Sequence, residues 1–178
     1  MNLRGQLVAL RTILRKEVVR ILRIWLQTIV PPVITMTLYF IIFGNLIGRR
    51  IGEMGGFDYM QFMAPGLIMM SVITNSYGNV VSSFFAAKFQ GHLQEMLVAP
   101  MRSYVIILGH VGGGIVRGLL VGAVVTLVAM FFTDLEIRHP FITLAILILT
   151  ATVFSLGGMI NAIFARKFDD VSIIPSFV

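Results

Sequence analysis

The chain has 178 residues, of which 57% are hydrophobic and only 12% charged, with a net charge of +6 and no cysteine. Soluble domains carry about a quarter charged residues, so this balance excludes an ordinary soluble domain, and the lack of cysteine excludes a disulfide framework and a thiolate metal site. The basic excess does not point to nucleic acid, because the cations sit at the ends of apolar runs, where lipid headgroups and membrane orientation account for them.

Residues 3–23 carry Leu3, Leu7, Leu10, Leu14, Val18 and Ile21 at helical spacing, flanked by Arg4, Arg11, Arg15, Lys16, Arg20 and Arg23. A five-turn apolar stripe with basic flanks predicts an amphipathic helix at the membrane surface. The alternative is a basic extension of the first span. The first long apolar run starts only after Arg23 and has no small-residue cleavage site behind it, so it is expected to remain as an uncleaved span.

Four apolar runs follow, at 24–47, 59–87, 104–132 and 141–165. Each has the ~20 residues needed to cross a hydrocarbon core. The expected fold class is therefore all-α: a polytopic helical membrane protein with an interfacial helix at 3–23. A fifth run, "VSIIPSFV", opens at Val171. Eight residues of helix rise only about 12 Å, so the sequence reads as the first part of a longer protein. With the N-terminus in the cytosol, the cytosolic segments hold ten Lys/Arg, against Arg49, Arg50 and Arg138 on the other side. That asymmetry predicts a cytosolic N-terminus.

Within the runs, Pro31-Pro32 and Pro65-Gly66 are expected to kink or locally open their helices. The second run has a polar face, Ser71, Asn75, Asn79 and Ser82, which lipid would not stabilise. It serves either as hydrogen-bonding glue between helices or as the lining of a translocation path. In the third run Gly114, Gly118 and Gly122 fall four apart and allow close helix approach, inside one subunit or between two copies. Arg117 is the one Asp, Glu, Lys or Arg inside an apolar run. It can snorkel to headgroups or bond a neighbouring helix, or it can act on substrate or gating.

The polar stretch Ala86–Val105, "AAKFQGHLQEMLVAPMRSYV", interrupts two spans on the cytosolic side. Phe85, Phe89, Leu93, Met96 and Leu97 recur at helical spacing, and Pro100 should end the helix at or before Ala99. This predicts a short amphipathic helix that rests on the membrane or docks into a partner's groove. No catalytic set is present: His92, His110 and His139 lie on different segments, there is no His-Glu-x-x-His, and Asp169-Asp170 is read as a solvated turn. No metal site is expected.

The stretch "GHLQEMLVAP", Gly91 to Pro100, resembles the Gly-Thr-Leu-Glu-x-Leu-Leu-x-x-Pro segment of ABC-2 type permeases, the membrane subunits of many ATP-binding-cassette exporters. Gly91, Leu93, Leu97 and Pro100 match, while His92, Gln94 and Met96 replace Thr, Glu and Leu, with an acid one place later at Glu95. The first two spans are similar to the YadH-type branch of that family. The resemblance implies a six-span permease that pairs with a second copy of itself and with separately encoded ATPases, in a bacterial inner membrane. It implies that 88–102 is the coupling helix, with Lys88, Phe89, Gly91, Leu93, Glu95, Leu97 and Pro100 meeting the ATPase. Asp169 and Asp170 in "RKFDDVS" would give a second contact, and 3–23 would be the connecting helix. The chain has no Walker motif, so this chain would bind no cofactor, and ATP and Mg would sit on the partner. The rival expectation is a secondary transporter or channel subunit, which calls for several intramembrane acids.

Overall fold

A computed structural model of the chain describes residues 3–48, 53–54, 56–99, 101–135 and 139–173. Arg49, Arg50, Pro100, Glu136, Arg138 and the end of the fifth run lie outside them. Seven α-helices occur among the described residues: α1 Leu3–Arg23, α2 Trp25–Ile41, α3 Tyr59–Phe89, α4 His92–Val98, α5 Ser103–Ala129, α6 Pro140–Phe164 and α7 Phe168–Ile173. A π-helical stretch, Ile42–Gly48, continues α2. A two-residue antiparallel ladder, Glu53–Met54 with Phe57–Asp58, joins it to α3.

The expected all-α membrane architecture is what forms. Among the described residues, three helical runs are long and apolar enough to cross a membrane: Trp25–Gly44, Ser103–Ala129 and Pro140–Phe164. The second of the four expected spans, α3, has 31 residues, about 46 Å at 1.5 Å per residue. Its polar side chains lower its hydropathy. It can carry them because it is the most buried helix, packed chiefly against α6 and α5. Most of those side chains also bond their own backbone: Ser71 Oγ donates to Leu67 O (3.1 Å), Thr74 Oγ1 to Met70 O (2.7 Å) and Asn75 Nδ2 to Ser71 O (3.0 Å). Helical back-bonding is how hydroxyls and amides are satisfied where no water reaches.

The helix ends follow local chemistry. Asp58 caps α3 by accepting from Met60 N at 3.3 Å, as short acceptors do at N-caps. Pro140 opens α6 at its first turn, where a missing N–H costs nothing. Helix α2 is continuous through Pro31 and Pro32, and α3 through Pro65. The joint between α1 and α2 is also nearly helical, since Ile24 N donates to Arg20 O (3.2 Å) and Thr28 N to Ile24 O (3.0 Å).

Helix α1 forms over the expected residues 3–23. Its buried residues are Gln6, Ile13, Glu17 and Ile21, of which only Ile21 belongs to the apolar stripe, and it lies along the first half of α5. Leu3 and Leu7 stay exposed. The reason is the floor that α5 offers: Ile13 sits on Gly109, Leu14 on Gly112 and Glu17 on Gly113.

Two apolar clusters close the bundle. One joins α2, α3 and α5 through Met36, Phe40, Ala64, Leu67, Val121 and Val125, with Phe40 stacked on Phe132 at 5.5 Å. The other joins α3, α5 and α6 through Val80, Phe84, Phe85, Ile106, Met159 and Ala162. Gly114, Gly118 and Gly122 face α3 at Val80, Ser76 and Val72, and Gly158 of α6 faces the Tyr77 carbonyl.

A Cβ at Gly118 would stand 2.9 Å from Ser76 Cβ and 3.2 Å from Val72 O, whereas one at Gly66 meets nothing within 4 Å. Gly118→Ala is expected to destabilise by about 1–3 kcal/mol. Gly66→Ala is expected to be neutral or stabilising by up to about 1 kcal/mol. Thermal unfolding of the two variants in the same detergent checks the pair.

Candidate functional site: the α4 end and a buried polar layer

Helix α3 ends where Gln90 N donates to Ala86 O (3.0 Å) and Gly91 turns left-handed at φ +80°. An L side chain there costs about 1–2 kcal/mol, so glycine is the residue that fits. Gly91 then opens α4, its carbonyl accepting from Gln94 N at 3.0 Å. Ala99 leaves α4 in an extended conformation (φ −65°, ψ 146°), as a residue preceding proline should. The expected helix at 88–102 is thus split, with Lys88 and Phe89 in α3 and seven residues in α4.

No residue of α4 is buried. Leu93 and Met96 pack against the α3–α5–α6 cluster, while Leu97 is 61% exposed and Val98 88%. Phe89, the last residue of α3, is 70% exposed, its ring stacked on Phe85 at 6.4 Å. Glu95, His92 and Gln94 are exposed. A cavity of about 240 Å³ lies behind α4, lined by Phe84, Leu93, Leu97, Ile106 and Ile163.

Lys88, expected to meet a partner, also makes bonds within the chain. Its Nζ donates to Ile163 O (2.7 Å) and Ala165 O (2.8 Å), capping the last carbonyls of α6, where a cation is favoured. The second expected contact begins immediately beyond. Asp170 Oδ2 accepts from Arg166 N (2.9 Å) and Lys167 N (3.0 Å), bonding back over the start of α7 in the manner of a capping box. Those two backbone N–H groups hold the exposed Asp170 carboxyl below its ordinary range. Asp169 is exposed.

The polar face of α3 does not form one open surface. Ser71 and Asn79 are buried, Asn75 is half-buried and Ser82 is exposed, with Ser82 Oγ donating to Asn79 O at 3.1 Å. Asn79 belongs to a polar layer that the sequence reading missed. Glu17 is fully buried. Its carboxylate accepts from Arg20 Nη2 (2.8 Å) and from Ser83 Oγ (2.5 Å). The same Arg20 nitrogen donates to Asn79 Oδ1 at 2.8 Å, and Lys16 Nζ lies 3.7 Å from the carboxylate. His110 is buried nearby, its Nδ1–H donating to Ile106 O (2.9 Å) and its ring edge-on to Phe84 at 5.4 Å. Arg117 is half-buried, with its buried Nε unpartnered. One signal was available in the sequence: Glu17 is the only acid among six cations in residues 3–23, three places before Arg20.

Taken together, apolar spans, a helix with an internally satisfied polar face and an outward-facing short helix define a multi-pass membrane subunit of the transport-permease class. An ABC-2 type transporter model matches residues 8–178, and the chain belongs to that family. It is 61% identical over 172 residues to the inner membrane transport permease YadH of Escherichia coli (strain K12), covering 96% of this chain and 67% of that protein. It is 25% identical over 133 residues to nodulation protein J of Rhizobium leguminosarum bv. trifolii, covering 74% of this chain and 51% of that protein. No solved structure matches the chain. The relatives agree with the resemblance carried by Gly91–Pro100 and the first spans, and with placement in an inner membrane.

Gly91→Ala is expected to destabilise the α3–α4 turn by about 1–2 kcal/mol, read as faster proteolysis at 89–99 with the spans unaffected. For Asp170 the depressed pKa fixes the sign. Its support of the 166–170 turn is fully present above the ordinary Asp value of about 3.9 and is lost as pH falls through the lower folded value. Amide NMR shifts of Arg166 and Lys167 should follow that titration, and Asp170→Asn should abolish it.

Proposed function

We propose that the chain is the permease part of an ATP-binding-cassette exporter, with α4 as the coupling helix on which a separate cytosolic ATPase docks. The observation that carries this reading is α4 itself. A seven-residue helix with no buried residue is held by the Gly91 turn and by Leu93 and Met96. Its Leu97 and Val98 are exposed, as is Phe89 at the end of α3. A rigidly mounted apolar projection at the end of a membrane helix suits insertion into a partner's groove. Arg166–Ser172 supplies the smaller second contact, and the N-terminus lies on the same, cytosolic, side.

In this reading ATP and Mg bind only the partner, two permeases pair, and ATP-driven closure of the ATPases moves α4. Because α4 continues from α3 through a single turn, that motion passes directly into the most buried helix of the bundle. Rigid-body rocking of helices is a common route to alternating access. Helices α2 and α3, with Ser71, Asn75, Asn79 and Ser82, contribute to the path. Arg20 holds Asn79 in the resting arrangement, so Asn75 and Ser82 are the more available of the four.

Leu97→Asp tests the docking. Leu97 is mostly exposed, so the variant should fold. Co-purification of the full-length permease with its ATPase is expected to weaken by a factor of about 30 or more, the effect of losing an interface anchor. Unchanged association together with unchanged ATP turnover contradicts the assignment.

A further inference from the structure

Helix α1 rests on a seat without side chains. Where Ile13, Leu14 and Glu17 meet α5, the opposing residues are Gly109, Gly112 and Gly113. Such a floor allows close approach and offers no interlocking side chains of its own; beyond it, Gln6 Oε1 of α1 accepts from Arg102 N at 3.2 Å. What crosses the seat is Glu17. Its carboxylate passes over Gly113 and reaches Ser83 on α3, while Arg20, bound to the same carboxylate, reaches Asn79 one turn away on α3. Asn79 and Ser83 lie in the uninterrupted helix that ends at Phe89 and leads through Gly91 into α4.

We propose that Glu17 and Arg20 are a positioning pair that pins α1 to α3, so that α1 and α4 move as one lever arm. Neither residue is placed in a docking surface or a path; both act through α3. The buried carboxylate requires Arg20 beside it, because a buried charge without its partner is strongly unfavourable. Separating α1 from α3 would break the two hydrogen bonds between them, Ser83 Oγ to the Glu17 carboxylate and Arg20 Nη2 to Asn79 Oδ1, and leave buried polar groups short of partners, so motion imposed on one helix is transmitted to the other. The lever rests on the reading of α4 as the ATPase-docking helix, whereas the pin does not.

The 178 residues hold no cysteine, so nitroxide labels on exposed Arg11 and Gln94, placed in a full-length permease cleared of any other cysteine, report the distance between α1 and α4. In lipid nanodiscs the unaltered pair is expected to give one narrow distance. Glu17→Gln leaves the Arg20 cation unpaired and should lose that narrow distance. Glu17→Gln with Arg20→Gln removes both charges and should restore it. Ser83→Ala, a milder change, should shift the distribution in the same direction by less, and exposed Lys16→Gln should leave it unchanged. A Glu17→Gln distribution equal to the unaltered one overturns the pin, as does a double variant as broad as the single one. In complex with the ATPase, Glu17→Gln should bind normally and lose permease-dependent ATP turnover by on the order of tenfold, with recovery in the double variant. Full turnover alongside broadened distances overturns the lever while leaving the docking reading intact. Absence of ATPase binding by the unaltered permease overturns the docking reading, and the distances alone then decide the pin.

Discussion

Helix α5 has two glycine faces, and the arrangement of its neighbours depends on them. On one side Gly109, Gly112 and Gly113 admit α1; on the other Gly114, Gly118 and Gly122 admit α3 at Val80, Ser76 and Val72. Between helices in lipid there is no hydrophobic drive comparable to that in water, so backbone approach and internal hydrogen bonds must supply the association. The missing side chains also make the charge layer possible. Glu17 reaches Ser83 across α5 only because Gly113 leaves room, its own side-chain carbons lying 2.7 Å and 2.9 Å from where a Cβ would stand. A larger residue at 113 would separate α1 from α3 as well as from α5.

The same logic governs α3. A helix with this many serines and asparagines is a poor choice for facing lipid, and the structure places it at the centre, where Ser71 and Asn75 bond their own backbone and Asn79 Oδ1 accepts from α1. The lipid-facing role passes to α6, whose exposed side chains include Phe141, Ile142, Leu144, Leu149 and Val153. Lys88 ties the end of α3 to the last carbonyls of α6. Helix α4 and the Arg166–Asp170 turn are therefore mounted on helix ends that are joined to one another.

The apolar runs made the membrane class and the approximate span limits legible, because length and hydropathy over twenty residues leave few alternatives. Helix α4 was legible in outline from Phe89, Leu93 and Leu97. Its true start was set by the positive φ at Gly91, which spacing alone does not reveal. The packed face of α1 was legible only in part. Leu14 and Ile21 of the apolar stripe pack, but Gln6, Ile13 and Glu17 were selected by glycines about a hundred residues away and by the partner that Glu17 finds at Ser83. Tertiary partners decide which side of an amphipathic helix is buried, and a lone acid among cations was the only local trace of that choice. The bonds of Lys88 were not legible for a similar reason: its partners are the last carbonyls of α6, about 75 residues away.

The central claim is that α4 is the surface on which a separate ATPase acts. Hydrogen exchange of the full-length permease with and without its ATPase tests this most directly. Protection of the amides of residues 89–98 on complex formation, with the exposed face of α6 unchanged, is the predicted result. Exchange in 89–98 that does not change when the ATPase is bound would contradict the account.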